Sequence, residues 1–159
     1  MSLAQVWDWV GGWPGAVWLQ ESGTAYLFVN AAHILAIGLL TGAILPLDLR
    51  LLGFFRSAPL DVVGPFLQRI AAAGAVLAVL TGLWLFSVRP RDYAANPAFL
   101  AKMTLLALAL GIVVLQHSGG RFRAVVEGQP VTLGVRAIAG LSALLWIAVL
   151  VAGRWIGFV

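Results

Sequence analysis

The chain of 159 residues has no cysteine, two methionines and two histidines. Without thiols it can form neither disulfides nor thiolate-ligated zinc or iron–sulfur sites. A soft copper(I) path would rest on Met1 and Met103, with two histidines as weak support. Charge is scarce too: 10% of residues are charged and 62% hydrophobic, where a soluble domain carries about a quarter charged. A soluble domain is thereby excluded in favour of an all-α integral membrane protein. No Lys or Arg precedes Arg50, so the beginning lacks the basic start of a secretory signal. In such a chain the net charge of +4 reports topology and gives no reason to expect a nucleic-acid partner.

What is present is a set of apolar runs, each long enough to cross a bilayer at about 20 residues per crossing. Residues 1–159 read as a single four-helix transmembrane bundle, with crossings near 24–47, 65–88, 98–118 and 132–156. Before them, residues 1–20 carry Trp7, Trp9, Trp13 and Trp18 around Gly11, Gly12 and Pro14. Such a segment reads as a short interfacial helix and turn with its indoles at headgroup level. Arg50, Arg56, Arg69, Arg121, Arg123 and Arg136 fall on one side of the bundle, and Arg89, Arg91, Lys102 and Arg154 on the other. The excess of positive charge marks the first side as cytoplasmic. Both termini then face the periplasm of a bacterial inner membrane.

The first crossing carries most of the chemistry. At 100° per residue, Tyr26, Asn30, His33, Ile37, Ile44 and Asp48 share a face or its border, while Gly38 and Gly42 lie roughly opposite His33. These two glycines form a GxxxG pair suited to close helix packing, as do Gly74, Ala78 and Gly82 of the second crossing. Homo-oligomerisation through the small-residue faces is expected. Pro46 is expected to bend or end the first helix just before Asp48, and Asp48 is expected to pair with Arg50 at the interface.

An ionisable residue inside a membrane helix is costly to place there and so marks a candidate site. With the first and third crossings entering at one level, His33 is about 13 Å deep, Lys102 about 6 Å and His117 about 28 Å. One iron cannot join His33 to His117 across that gap. Two groupings remain. The outer one combines His33, Asn30, Tyr26 and Lys102, with Arg89, Arg91 and Arg154 at the rim to meet propionates; the inner one combines His117 with Asp48, Arg50, Arg121 and Arg123. An imidazole from the interior of a helix bundle is a frequent axial ligand for haem iron. A plain hydrogen bond from His33 to a neighbouring helix, and snorkelling of Lys102 toward the headgroups, are the simpler readings.

Four segments carry a resemblance: HIL with its following glycine in the first crossing, DLRLLG at Asp48 to Gly53, LTGLWLF at Leu80 to Phe86, and NPAFLAKMTLLALA at Asn96 to Ala109. Together they resemble an uncharacterised bacterial family of four-helix membrane proteins. More distantly, AAHILAIGLLTG and FLAKMTLLALALGIVVLQH are similar to motifs of the superfamily of the CopD copper-resistance domain and the HemJ-type protoporphyrinogen oxidase. That likeness implies a b-type haem tied to the positions of His33 and Lys102, without the oxidase activity. The expectation is thus a haem b protein passing single electrons to a redox partner, with His33 as iron ligand and His117 as a further metal ligand. A CopD-like copper or small-solute permease and a cofactor-free accessory subunit are the alternatives, and the sequence does not decide whether the protein is an enzyme.

Overall fold

A computed structural model describes residues 2–118 and 120–158, and every regular element among them is helical. The elements are α1 (Leu3–Gly12), α2 (Pro14–Glu21), α3 (Gly23–Leu52), α4 (Leu60–Val88), α5 (Pro90–Ala95), α6 (Pro97–Ser118), α7 (Arg121–Val126) and α8 (Leu133–Trp155), closed by a 3-10 turn at Ile156–Phe158. Four of them, α3, α4, α6 and α8, are long and apolar enough to cross a membrane, the last with its 3-10 extension. Antiparallel packing joins α4 to α3, α3 to α8 and α8 to α6.

Helix limits follow local chemistry. Ser22 caps α3 by accepting from the Ala25 amide, and Thr132 does the same for α8 through Val135. At its far end α3 closes in a Schellman turn: Gly53 has φ 109°, its amide donates to Arg50 O, and the Phe54 amide donates to Leu49 O. A left-handed residue is needed there, and glycine takes it without a Cβ clash. Contrary to the sequence expectation, α3 does not end at Pro46 but runs six residues beyond it. Proline removes a single amide, and a helix packed against two neighbours tolerates that loss. Likewise α4 starts at Leu60 and keeps Pro65 inside its first two turns.

Three layers of packing hold the bundle. At the end bearing the chain termini, Phe86 stacks on Phe99 with centroids 5.5 Å apart, and Trp7 meets the Phe86 edge. There α1 and α2 lie across the end of α4: Trp13 Nε1 donates to Ser87 Oγ and Trp84 Nε1 to Gly15 O. In the middle, Leu40, Ala109 and Trp146 form a buried cluster. At the opposite end Leu47, Leu51, Leu60, Phe122, Val125, Val135 and Ala139 form another, with α7 tucked against it.

The closest backbone approach lies between α3 and α4. A Cβ on Gly74 would lie 2.6 Å from Leu40 N and 3.0 Å from Ala36 O, so only glycine lets the helices meet there. The GxxxG pair behaves differently. Gly38 and Gly42 are exposed and nothing lies within 4 Å of a Cβ built on either, so this face packs against no part of the chain.

A pair of substitutions separates the two glycine stripes. Gly74→Ala forces the α3 backbone away, with an expected cost of about 1–3 kcal/mol. Gly42→Ala meets no neighbour among the described residues of its own chain, and in the detergent-solubilised monomer it is expected to be neutral or to add up to about 1 kcal/mol of helix stability. Thermal unfolding followed by circular dichroism in detergent reads both; equal losses would contradict the packing described.

Candidate functional site

His33 points from α3 into α4. Its Nδ1 lies 2.8 Å from Thr81 Oγ1, and Gly82 leaves room for the ring, since a Cβ there would sit 3.0 Å from His33 Cε1. The hydroxyl of Thr81 lies 2.6 Å from Leu77 O. A carbonyl can only accept, so the single hydroxyl proton is committed to Leu77. The oxygen then accepts from the imidazole, which places the proton on Nδ1; the Ala78 carbonyl also lies against the ring, and Nε2 makes no side-chain hydrogen bond among the described residues. Metal-ligating histidines are held in the same way, one nitrogen donating to a neighbour and the other facing the metal.

Lys102 completes the pair. Phe99 stacks on Phe86, which lies one turn beyond the Gly82 that receives His33, and Lys102 lies three residues inward of Phe99. Lysine and histidine therefore sit at nearly one level and interact electrostatically. The sequence-derived depths had placed Lys102 several ångströms shallower, because they entered both helices at one plane. Gly153 of α8 lets the lysine stem lie against it, Nζ being 3.7 Å from a Cβ built there. Among the described residues the ammonium has no hydrogen-bond or ion-pair partner.

The other outer residues separate into roles. Tyr26 and Tyr93 of α5 share a hydrogen bond, and burial, with Tyr26 beside it, pushes the Tyr93 phenol above its ordinary range. Asn30 is half-buried with no partner among the described residues. Arg91 is tied to Asp8 at 2.5 Å and to Ala4 O at 3.3 Å, and Arg154 lies over the Phe158 ring at 4.6 Å. Of the three rim arginines, Arg89 is exposed and its guanidinium makes no hydrogen bond or ion pair among the described residues, with the Tyr93 phenol as its electrostatic neighbour.

The inner grouping is not assembled as one site. His117 lies 2.7 Å from Val113 O through Nδ1 and 2.8 Å from Gln68 through Nε2, and its ring packs on Phe122. Both nitrogens are thus occupied, Nδ1 by a carbonyl of α6 itself and Nε2 by the Gln68 amide that ties α6 to α4. Asp48 and Arg50 do not form the expected ion pair. Two residues apart on a helix, they face different ways: Arg50 Nε donates to Ala58 O at 2.7 Å and its NH2 to Arg56 O at 3.2 Å, clamping the loop after α3, while Asp48 bonds to Ser142 of α8. Among the described residues no three His, Cys, Asp or Glu side chains come together to hold a metal.

Sequence reasoning missed Thr81, Gln68 and Ser142. Each is a polar residue on an apolar helix, and such residues seek partners across helices; that signal was available for Thr81 and Ser142, but the helix pairing was not. Two surface clefts lie elsewhere. One, of about 390 Å³, is lined at the inner end by residues including Arg50, Leu60, Asp61 and Val125. The other, of about 510 Å³, lies at the outer end between α1 and the α4–α5 junction.

The chain belongs to the family described as "Family of unknown function (DUF6644)", whose model matches residues 12–159. No curated protein and no solved structure matches it.

The tautomer of His33 is directly measurable. In long-range ¹H–¹⁵N spectra of histidine-labelled protein, both imidazoles are expected with Nδ1 protonated, since His117 Nδ1 donates to Val113 O and its Nε2 accepts from Gln68, and His117→Ala leaves the signal of His33 alone. Thr81→Val, which keeps the shape and removes the acceptor, is expected to release that preference. An Nε2–H tautomer for His33 in the parent protein would contradict the hydrogen-bond order deduced here.

Proposed function

We propose that this protein is a b-type haem protein of the bacterial inner membrane, with His33 as iron ligand and one-electron transfer as its role. The observation that supports the reading is the His33 arrangement: Nδ1–H held by Thr81, and beside it a Lys102 amine and an imidazole Nε2 that have no side-chain hydrogen-bond partner among the described residues.

Membrane insertion is supported by the flanks of the long helices. Phe28, Ile34, Leu35, Val76, Leu83, Val114, Leu144 and Val151 are all exposed large apolar residues. A continuous surface of this kind suits lipid and would aggregate in water. Exposed Trp9, Trp13, Trp18 and Trp155 gather at the end bearing the termini, and exposed Arg56, Arg69, Arg121, Arg123 and Arg136 at the other. The excess of these five arginines over exposed Arg89, Arg91 and Arg154 at the other end supports a cytoplasmic inner end and periplasmic termini.

The donor set fits haem. Thr81 fixes the imidazole and strengthens it as a ligand by accepting from Nδ1. Lys102 supplies a second nitrogen donor in its neutral form, or a positive charge facing a propionate when protonated. Arg89 is the rim arginine left free for such a carboxylate. Haem, when bound, supplies a one-electron couple whose potential is set by axial ligands and burial. Neither cleft reaches His33, so shielding of the outward side falls to lipid or to a second copy. The open Gly38 and Gly42 face is the surface through which a homo-oligomer would form.

The copper reading has less behind it. Met103 is 40% exposed, and a path for copper(I) needs a succession of soft donors.

Oxidised and reduced visible spectra of the detergent-purified protein, with a pyridine haemochrome assay, test the proposal. A Soret band with sharp reduced α and β bands is expected. His33→Ala is expected to lose haem, Lys102→Met to alter the spectrum or potential with haem retained, and His117→Ala to leave both unchanged. A preparation that stays colourless after reconstitution, or full haem occupancy in His33→Ala, overturns the assignment.

A further inference from the structure

Asp48 lies four residues before the end of α3 and is 3% exposed. Ser142 on α8 provides its side-chain hydrogen bond, and Oδ2 has no partner among the described residues. The remaining acidic residues, Asp8, Glu21, Asp61, Asp92 and Glu127, are all exposed. One turn beyond Ser142 on the same face of α8, Trp146 is 1% exposed and its indole N–H also lacks a partner among the described residues.

No charge offsets the buried carboxyl. Arg50, on its own helix, is committed to the carbonyls of Ala58 and Arg56. From the elements packed around it, Asp61 and Arg69 of α4, Arg121 and Arg123 of α7 and Arg136 of α8 are exposed, and His117 of α6 is held by Gln68 and Val113 O. An ionised carboxylate would leave most of its acceptor sites empty in apolar surroundings, which is costly without a counter-charge. A proton removes that cost. The Ser142 hydroxyl serves both states, accepting from a carboxyl and donating to a carboxylate. A sodium ion is poorly served, because two side-chain groups, the Asp48 carboxyl and the Ser142 hydroxyl, supply oxygen there.

The surroundings also supply a route. Leu47 and Leu51, the immediate neighbours of Asp48 along its face of α3, pack against Leu60 and Val125. Leu60 and Val125 in turn line the inner cleft, together with Asp61 and Glu127. One layer of apolar side chains therefore separates the carboxyl from a cleft edged with carboxylates.

We propose that Asp48 is a proton-binding site, loaded and unloaded from the inner face through the layer formed by Leu51, Leu60 and Val125. The carboxylate takes a proton from water in the cleft and returns it there, and no other bond changes. This assignment stands independently of haem.

Infrared difference spectroscopy of the full chain in lipid, during exchange from H₂O to D₂O, tests it. Expected at acid to neutral pH is a protonated-carboxyl C=O band that shifts down in D₂O and is absent from Asp48→Asn. Leu60→Ser, which wets the apolar layer, is expected to accelerate its deuteration at least several-fold. Ser142→Ala keeps the carboxyl, so a displaced band in that variant assigns it to Asp48 even where Asp48→Asn does not fold. The proposal is overturned by absence of the band in the parent protein, its persistence in Asp48→Asn, its loss on adding sodium at fixed pH, an unmoved band in Ser142→Ala, or an exchange rate that Leu60→Ser leaves unchanged.

Discussion

The backbone contact of α3 with α4 at Gly74 sets the rest of the bundle. Because a Cβ at that point would collide with Leu40 N, the two helices meet at a single register, Gly74 against Leu40 and Ala36. Seven residues farther along both helices, in opposite directions, that register brings Thr81 to His33. Seven residues is two helical turns, so the face that packs at Leu40 is still the packed face at His33. Gly82, adjacent to Thr81, then opens the space into which the imidazole swings. A slip of one residue would turn Thr81 away and set a different side chain against the ring. The chemistry at His33 therefore depends on a glycine two turns away that lies against the backbone of Leu40 and Ala36 and makes no contact with the imidazole.

Much of the architecture was readable in the chain because its signals are one-dimensional. Long apolar runs, capping residues such as Ser22 and Thr132, and the glycine after DLRLL follow from local physics. The pairing of His33 with Lys102 was readable as a depth argument, although the level was misjudged because helix entry was assumed to be coplanar. What could not be read was lateral. Asp48 lies about 60° from His33 around α3, and that angle sends one residue to α8 and the other to α4. The sequence pattern treats them as one stripe; the bundle divides them between two neighbours. Pro46 misled for a related reason, since its missing amide is a local deficit that packing on two sides absorbs.

The DLRLLG segment shows how six residues divide structural and chemical work. Leu51 is fully buried, Gly53 takes the left-handed turn, and Arg50 closes the following loop on two carbonyls. Three of the residues thus build the corner. Asp48 contributes nothing to that corner, and a leucine in its place would suit the apolar cluster around it. An acidic group retained where an apolar one would pack well calls for a chemical reason.

His33 and Asp48 are 15 residues apart on one continuous helix, about 22 Å along its axis. Direct proton transfer over that distance requires a chain of intermediates, and the buried side chains between them on α3 are Ala36, Leu40, Ala43, Leu47 and the Thr41 hydroxyl, which is bonded to Ile37 O. Electrostatics remain. A unit charge at one position acts on the other by about 0.8 kcal/mol at an effective dielectric of 20, roughly half a logarithmic unit in any proton equilibrium. Such coupling is large enough to register and too small to make one site depend on the other. An electron at the outer station would then bias proton occupancy at the inner one only slightly, and the two assignments rest on separate chemistry at opposite ends of α3.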